Sequence, residues 1–424
     1  MTGADRLARA FPALLALVAL IALLLRAWGL ASEPASADDL GCGASAVSFV
    51  EHARIGPVEW HHPHLRDLLV WASVGIAGPT KVGLALASLL LGVVAIPVVG
   101  LLGRAVAGTA VGLLAAVLLA IDPIHVGYSR QAVQESYPLL FGALGALLTL
   151  RHARDGRPSW LLAAGAAFGL GAASKWSVVF PALAALAWTA ARAVRRAETR
   201  RDAAARVALA VAALAILPAC LYLLTWTPWL VGGRDLADLA RLHVAMAREA
   251  VGHGGYNAAD LALQHRAALW FVEPVAYAGF AIGPRGPIAF VYLTNPLVWL
   301  AVLPAAAFAA RDSWRGEGGD LAFVLALFAA AYLPFAVASR PIWIHSALGA
   351  LPFAIILVAA LVVRTAERLS WPRAAVAAYL AAAALASAPL YALATGAALE
   401  SPLLRGIAER YRPAPELERG PAGR

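Results

Sequence analysis

The run FPALLALVALIALLL, residues 11–25, decides how the chain is folded. It follows Arg6 and Arg9, as the apolar core of a signal peptide would. However, no small-residue cleavage site follows it closely, and Arg26-Ala27-Trp28 reads as an interfacial anchor. Read as an uncleaved first span, it places the next stretch of chain across the membrane from the N-terminus.

Similar runs recur along nearly the whole chain. Hydrophobic residues make up 61% and charged residues 14%, against about 25% charged in an ordinary soluble domain, so lipid is the solvent to reason about. Runs of ~20 apolar residues, enough to cross ~30 Å of hydrocarbon, are expected near 10–30, 80–103, 108–124, 134–151, 159–174, 176–194, 206–226, 288–310, 320–338, 342–363 and 373–395. Helices are required, because hydrocarbon offers backbone groups no partners and the alternation of a barrel is missing. The expected fold is an all-α polytopic membrane bundle of about eleven spans, with interfacial helices in its loops.

Charge sets the orientation. The formal charge of +9 sits in short clusters between apolar runs, without the interleaved aromatics of a nucleic-acid platform. Arg151, Arg154 and Arg157, the group from Arg192 to Arg206, and Arg364, Arg368 and Arg373 fall on one side, together with Arg6, Arg9, Arg104, Arg311 and Arg315. That side is expected to be the cytoplasm. The long loops 31–79 and 227–287 and the tail 396–424 then face outward, and residues 1–395 form one transmembrane domain. In the second loop Leu236, Leu239, Leu242 and Met246 recur at helical spacing among charges, the pattern of an interfacial helix. Cys42 and Cys220 imply no disulfide framework.

The first outer loop is chemically out of character. Ala37-Asp38-Asp39-Leu40 and His61-His62-Pro63-His64-Leu65-Arg66-Asp67 gather carboxylates and histidines in a chain otherwise poor in both. Adjacent like charges can raise one pKa, which suits a base working near neutral pH. At the following outer turns stand Arg130 with Glu135, then Lys175 with Trp176, then Arg340 with His345. Lys175 and Lys81 are the only lysines, and a compact ammonium suits a phosphate oxygen. Three cations at 130, 175 and 340 around one opening are enough to hold a phosphate. Asn295-Pro296 either caps a helix or offers its amide to a polar ligand. The histidines lack the fixed spacing of a metal site, and no cofactor is expected.

The order of these motifs resembles the protein O-mannosyltransferase superfamily, the GT-C fold class that includes the bacterial aminoarabinose and galacturonic acid transferases of lipid A. The resemblance covers roughly residues 10–365. It rests on the acidic pair, His62-Pro63-His64-Leu65 with histidine in place of the family's second proline, Arg130-x4-Glu135, Ser174-Lys175-Trp176, Asn295-Pro296 and Arg340-x4-His345. It implies an inverting glycosyltransferase that takes a sugar from a polyprenyl-phosphate donor on the outer face of the plasma (inner) membrane. Asp38 would be the base, and Asp39 stands where the family has Glu. In this expectation the substrate is also touched by Glu135, His62, His64, Trp176, Asn295 and His345, and the acceptor is a lipid, glycan or protein hydroxyl. The rival expectation is a transporter or lipid-linked-sugar flippase. It is disfavoured because the notable charges gather at one end of the spans, whereas transporters place them near the midplane.

Overall fold

The structure, a computed structural model, describes residues 3–55, 62–251, 267–272, 276–283, 286–338 and 342–395. Among the described residues five helices are long and apolar enough to cross a membrane: Asp5–Ser32, Lys81–Ala107, Trp176–Arg196, Arg200–Leu224 and Pro372–Ala394. Shorter apolar helices are Thr109–Ala120, Pro158–Ala172, Leu321–Ala336 and Leu351–Ala366.

In chain order, α1 (Gly3–Ala27) leads into α2 (Ala37–His52) and α3 (Leu65–Ala77), both in the first loop. Next come α4 (Lys81–Ala107), α5 (Thr109–Ala120), the single turn and a half of α6 (Pro123–Tyr128), α7 (Ser136–Asp155) and α8 (Pro158–Ala172). After α9 (Val179–Arg196), α10 (Arg200–Val211) runs through a π segment, Ala212–Ile216, into α11 (Leu217–Leu224). The second loop carries α12 (Thr227–Val231) and α13 (Leu236–Val251). The chain closes with α14 (Pro296–Trp299), α15 (Val302–Trp314), α16 (Leu321–Ala336), α17 (Leu351–Ala366) and α18 (Pro372–Ala394).

Helix α17 is the axis of the bundle. Residues 351–360 are all buried, and a helix apolar on every side belongs in the middle of its neighbours. It packs against α4, α5, α7, α15, α16 and α18. Small residues let α4 and α5 approach closely: a Cβ on Gly112 would run into backbone of α4, so glycine is needed there.

Two expectations are corrected. An antiparallel hairpin, β1 (Ala276–Gly283) and β2 (Gly286–Leu293), pairs Ala276 with Leu293, so the span expected at 288–310 begins instead as strand and turns helical only at Pro296. The cause is local: Pro296 preorganises the first helical turn, with Asn295 capping it, and the Gly-, Tyr- and Phe-containing run before it pairs as strand. The span expected at 342–363 begins with a short 3₁₀ segment, Ile344–Gly349, before α17. Cys42 and Cys220 are free thiols.

Candidate active site

The acidic pair sits in the first turn of α2. Ser36 caps the helix: its hydroxyl accepts from the Asp39 amide at 3.1 Å, and Asp39 Oδ2 accepts from the Ser36 amide at 2.8 Å. This is a reciprocal capping box. Asp39 Oδ2 also meets the Lys81 ammonium at 2.5 Å, and Oδ1 accepts from the Ala132 amide at 2.7 Å. With both oxygens engaged and no exposure, Asp39 holds the first turn of α2 to Lys81 and Ala132. Asp38, one helix position away and half-buried, projects about 100° around the axis from it.

Lys81 opens α4, where its charge opposes the positive end of the helix dipole. Two carboxylates offset this: Asp39, and Glu33 at 3.2 Å. Glu33 in turn binds Arg130, whose Nε lies 3.0 Å away. Arg130 also donates to the carbonyls of Arg26 and Trp28, at 2.7 and 2.8 Å, at the C-terminal end of α1. Its guanidinium is thus committed to a buried frame, Arg130–Glu33–Lys81–Asp39, that ties α1, α2 and α4 together.

Lys175 and Glu135 form a second buried group. The Lys175 ammonium touches both carboxylate oxygens, at 2.9 and 2.8 Å. Glu135 precedes the N-terminus of α7 and Lys175 follows the C-terminus of α8, so each charge sits at the helix end that favours it. His345 Nε2 lies 3.9 Å from Glu135 Oε1. Its ring stacks on Trp343 and meets the edge of Tyr128, which packs on Tyr292. Gln131 donates to the Tyr292 hydroxyl.

The third group surrounds His64. Arg66 holds Asp67 Oδ1 at 2.9 and 2.7 Å and donates to Gln134 at 3.1 Å. His64 Nδ1 donates to Asp67 Oδ2. Burial pushes the Asp67 carboxyl up, but the Arg66 guanidinium and the His64 bond outweigh it and hold it below the usual carboxylate range. The His64 ring stacks on Phe49 at 4.1 Å and meets the edge of Trp226, so it works as a packed loop anchor. Half-buried His62 lies just before it; His61 and Arg340 lie outside the described residues. Asn295 caps α14 through Leu297 and gives its amide to the Ala383 carbonyl and the Ser387 hydroxyl; its side chain is therefore spent on protein. Trp176 donates to the Tyr222 hydroxyl.

One loop joins all three groups. Between α6 and α7, Arg130 and Ala132 reach the frame around Asp39, Gln134 reaches Arg66, and Glu135 reaches Lys175. Ala132 and Glu135 are three residues apart, at most about 11 Å of backbone, so the acidic turn of α2 and Lys175 open at the same end of the bundle. Sequence reasoning passed over Glu33, Lys81, Gln134, Tyr128, Tyr292 and His243. Of these only Lys81 carried a signal, as the one lysine besides Lys175. Among the described residues no three His, Cys, Asp or Glu side chains gather as a metal site.

Residues 61–222 match the family described as dolichyl-phosphate-mannose-protein mannosyltransferase. The fold is similar to that of the Saccharomyces cerevisiae protein O-mannosyltransferase Pmt1-Pmt2 complex bound to the sugar donor, with a TM-score of 0.78, 12% identity and coverage of 94% of this chain and 92% of that one. It is also similar to ArnT from Cupriavidus metallidurans bound to undecaprenyl phosphate, with a TM-score of 0.59, 14% identity and coverage of 93% and 77%. The archaeal oligosaccharyltransferase AglB from Archaeoglobus fulgidus, in complex with an inhibitory peptide and a dolichol-phosphate, gives a TM-score of 0.57, 15% identity and coverage of 96% and 60%. No curated protein matches the chain by sequence.

Proposed function

From a chain that has the GT-C fold of multi-pass membrane glycosyltransferases, we propose an inverting transferase that moves a sugar from a polyprenyl phosphate to an acceptor hydroxyl. The observation that supports it most is the Ser129–Glu135 loop, which bonds Asp39, the neighbour of Asp38, through Ala132 and Lys175 through Glu135. In this reading the Asp38 carboxylate takes the proton of the acceptor hydroxyl as that oxygen forms its bond to the sugar's C1. The bond from C1 to the phosphate oxygen breaks on the opposite face, and its electron pair leaves with the polyprenyl phosphate. A single displacement inverts the anomeric carbon.

Lys175 and Arg340 meet the leaving phosphate, and their attraction grows as charge builds on its bridging oxygen. Lys175 is already paired, so the donor phosphate competes with Glu135 for the ammonium. His345, poised beside Glu135, and His62 belong to the substrate side of the mouth. The positive-inside reading of the arginine clusters supports a site on the non-cytoplasmic face, where a lipid-linked donor is the available activated sugar. Collection of the paired charges at one end of the helices disfavours a transport pathway through the midplane.

The test is purified protein in detergent with a panel of polyprenyl-phosphate sugars and candidate acceptors. Acceptor-dependent release of free polyprenyl phosphate, read by mass, supports the proposal. No release with any donor, while a donor binds or is carried unchanged, rejects it.

A further inference from the structure

Helix α13 reaches the Lys175 turn through hydrogen bonds whose direction is fixed. His243 Nδ1 lies 2.8 Å from the Leu239 carbonyl, which only accepts, so Nδ1 carries a proton. In the neutral ring Nε2 then accepts, and it takes the Tyr222 hydroxyl at 2.6 Å. The Tyr222 oxygen accepts in turn from the Trp176 indole, a pure donor, at 3.0 Å. The tautomer follows from this network.

Trp176 follows Lys175 directly, and the Lys175 carbonyl holds the turn by accepting from the Val178 amide at 3.2 Å. The rings of Trp176 and Trp226 flank His243, with centroids 6.0 and 4.9 Å away. The same helix buries Leu239 and Met246 in a cluster with Phe49 of α2, the helix that begins with Asp38 and Asp39. Helix α13 therefore touches both arms of the site.

Protonation reverses the last link. A charged His243 donates from Nε2 as well, so the Tyr222 oxygen faces two donors and its own hydroxyl proton loses its acceptor. We infer that His243 is a positioning residue for the Lys175 turn: in its neutral form it closes the Trp176–Tyr222–His243–Leu239 chain and clips α13 in place.

The titratable groups facing His243 are Tyr222 from α11 and His64, paired with Asp67, at the start of α3. On its own helix Asp238 and Arg241 pair with each other. Desolvation lowers the His243 pKa below its ordinary value and nearby His64 adds to this, against the bond to Leu239. The neutral clip therefore persists at neutral pH and opens on acidification.

The link to donor binding rests on the transferase reading; the clip itself does not. Two measurements on the full chain in nanodiscs separate them: hydrogen exchange of residues 236–249 and the donor KM, each at about pH 7.5 and about pH 5. After correction for intrinsic rates, exchange should rise about threefold to tenfold in acid, the worth of one hydrogen bond. Donor KM should rise alike, whatever acid does to kcat through the Asp38 base. In His243→Gln, whose amide can both accept from Tyr222 and donate to Leu239, both should stay flat. Equal corrected exchange at the two pH values, or an acid shift retained in His243→Gln, overturns the clip. A shift in exchange with a constant KM overturns the positioning of Lys175. A shift in exchange without turnover on any donor sustains the clip and rejects the transferase.

Discussion

Glu135 grips Lys175 through both carboxylate oxygens, at 2.9 and 2.8 Å, between the start of one membrane helix and the end of another. Both side chains are almost fully buried. Removing one partner leaves the other charge desolvated, a loss of about 3–5 kcal/mol when a buried pair is broken. Lys175→Ala should therefore lower the thermal midpoint in detergent and weaken donor binding. The double variant Lys175→Met, Glu135→Gln should recover the midpoint without recovering donor binding. Donor binding restored along with the midpoint would remove Lys175 from the phosphate.

The frame around Asp39 should respond as a structural unit. Lys81→Met leaves Asp39 without its ammonium and Glu33 with Arg130 as its ionic partner, and Asp39→Ala loses the helix cap as well as the ion pair. Each should cost about 3–5 kcal/mol, read as loss of folded protein by size-exclusion chromatography and thermal scan. Asp39→Asn keeps one acceptor oxygen, for Ser36 or for Ala132 but not for both, and should fold better than Asp39→Ala. Equal stability of the two would mean that the hydrogen bonds do not hold this turn.

Asp67 makes stability depend on acid. Its folded pKa lies below its ordinary value, so its contribution is present above that value and is lost as pH falls through the folded one. The thermal midpoint should decline as pH drops below about 4, and Asp67→Asn should flatten that decline while lowering the midpoint at neutral pH. An unaltered acid decline in the variant would assign it to other carboxylates.

Gly127 marks how tightly the hairpin is seated. A Cβ there would overlap the Tyr292 ring, so Gly127→Ala must push Tyr292 off Tyr128. Overpacking of this kind costs about 1–3 kcal/mol. A thermal midpoint equal to that of the parent protein would show that β2 moves freely against α6.

The apolar helices were legible because lipid forces long apolar runs. What the sequence could not reveal was partnership. Asp38 and Asp39 look equivalent as letters, yet Ser36 three residues before Asp39 makes Asp39 the capping member of the box. Glu33, the partner of Arg130 across 97 residues of chain, carries no local signal. The hairpin before Pro296 was hidden by its own apolar composition, which suits a buried strand and a membrane helix equally. His243 reads as one polar residue on an amphipathic helix until Tyr222 and Trp176 are found beside it.

The most direct measurement is turnover by Asp38→Asn, a near-isosteric change at the proposed base, in protein that still folds and binds donor. The account predicts that acceptor-dependent release of polyprenyl phosphate falls about 10²–10⁴-fold, the usual worth of a general base. Release at the parent rate would contradict it.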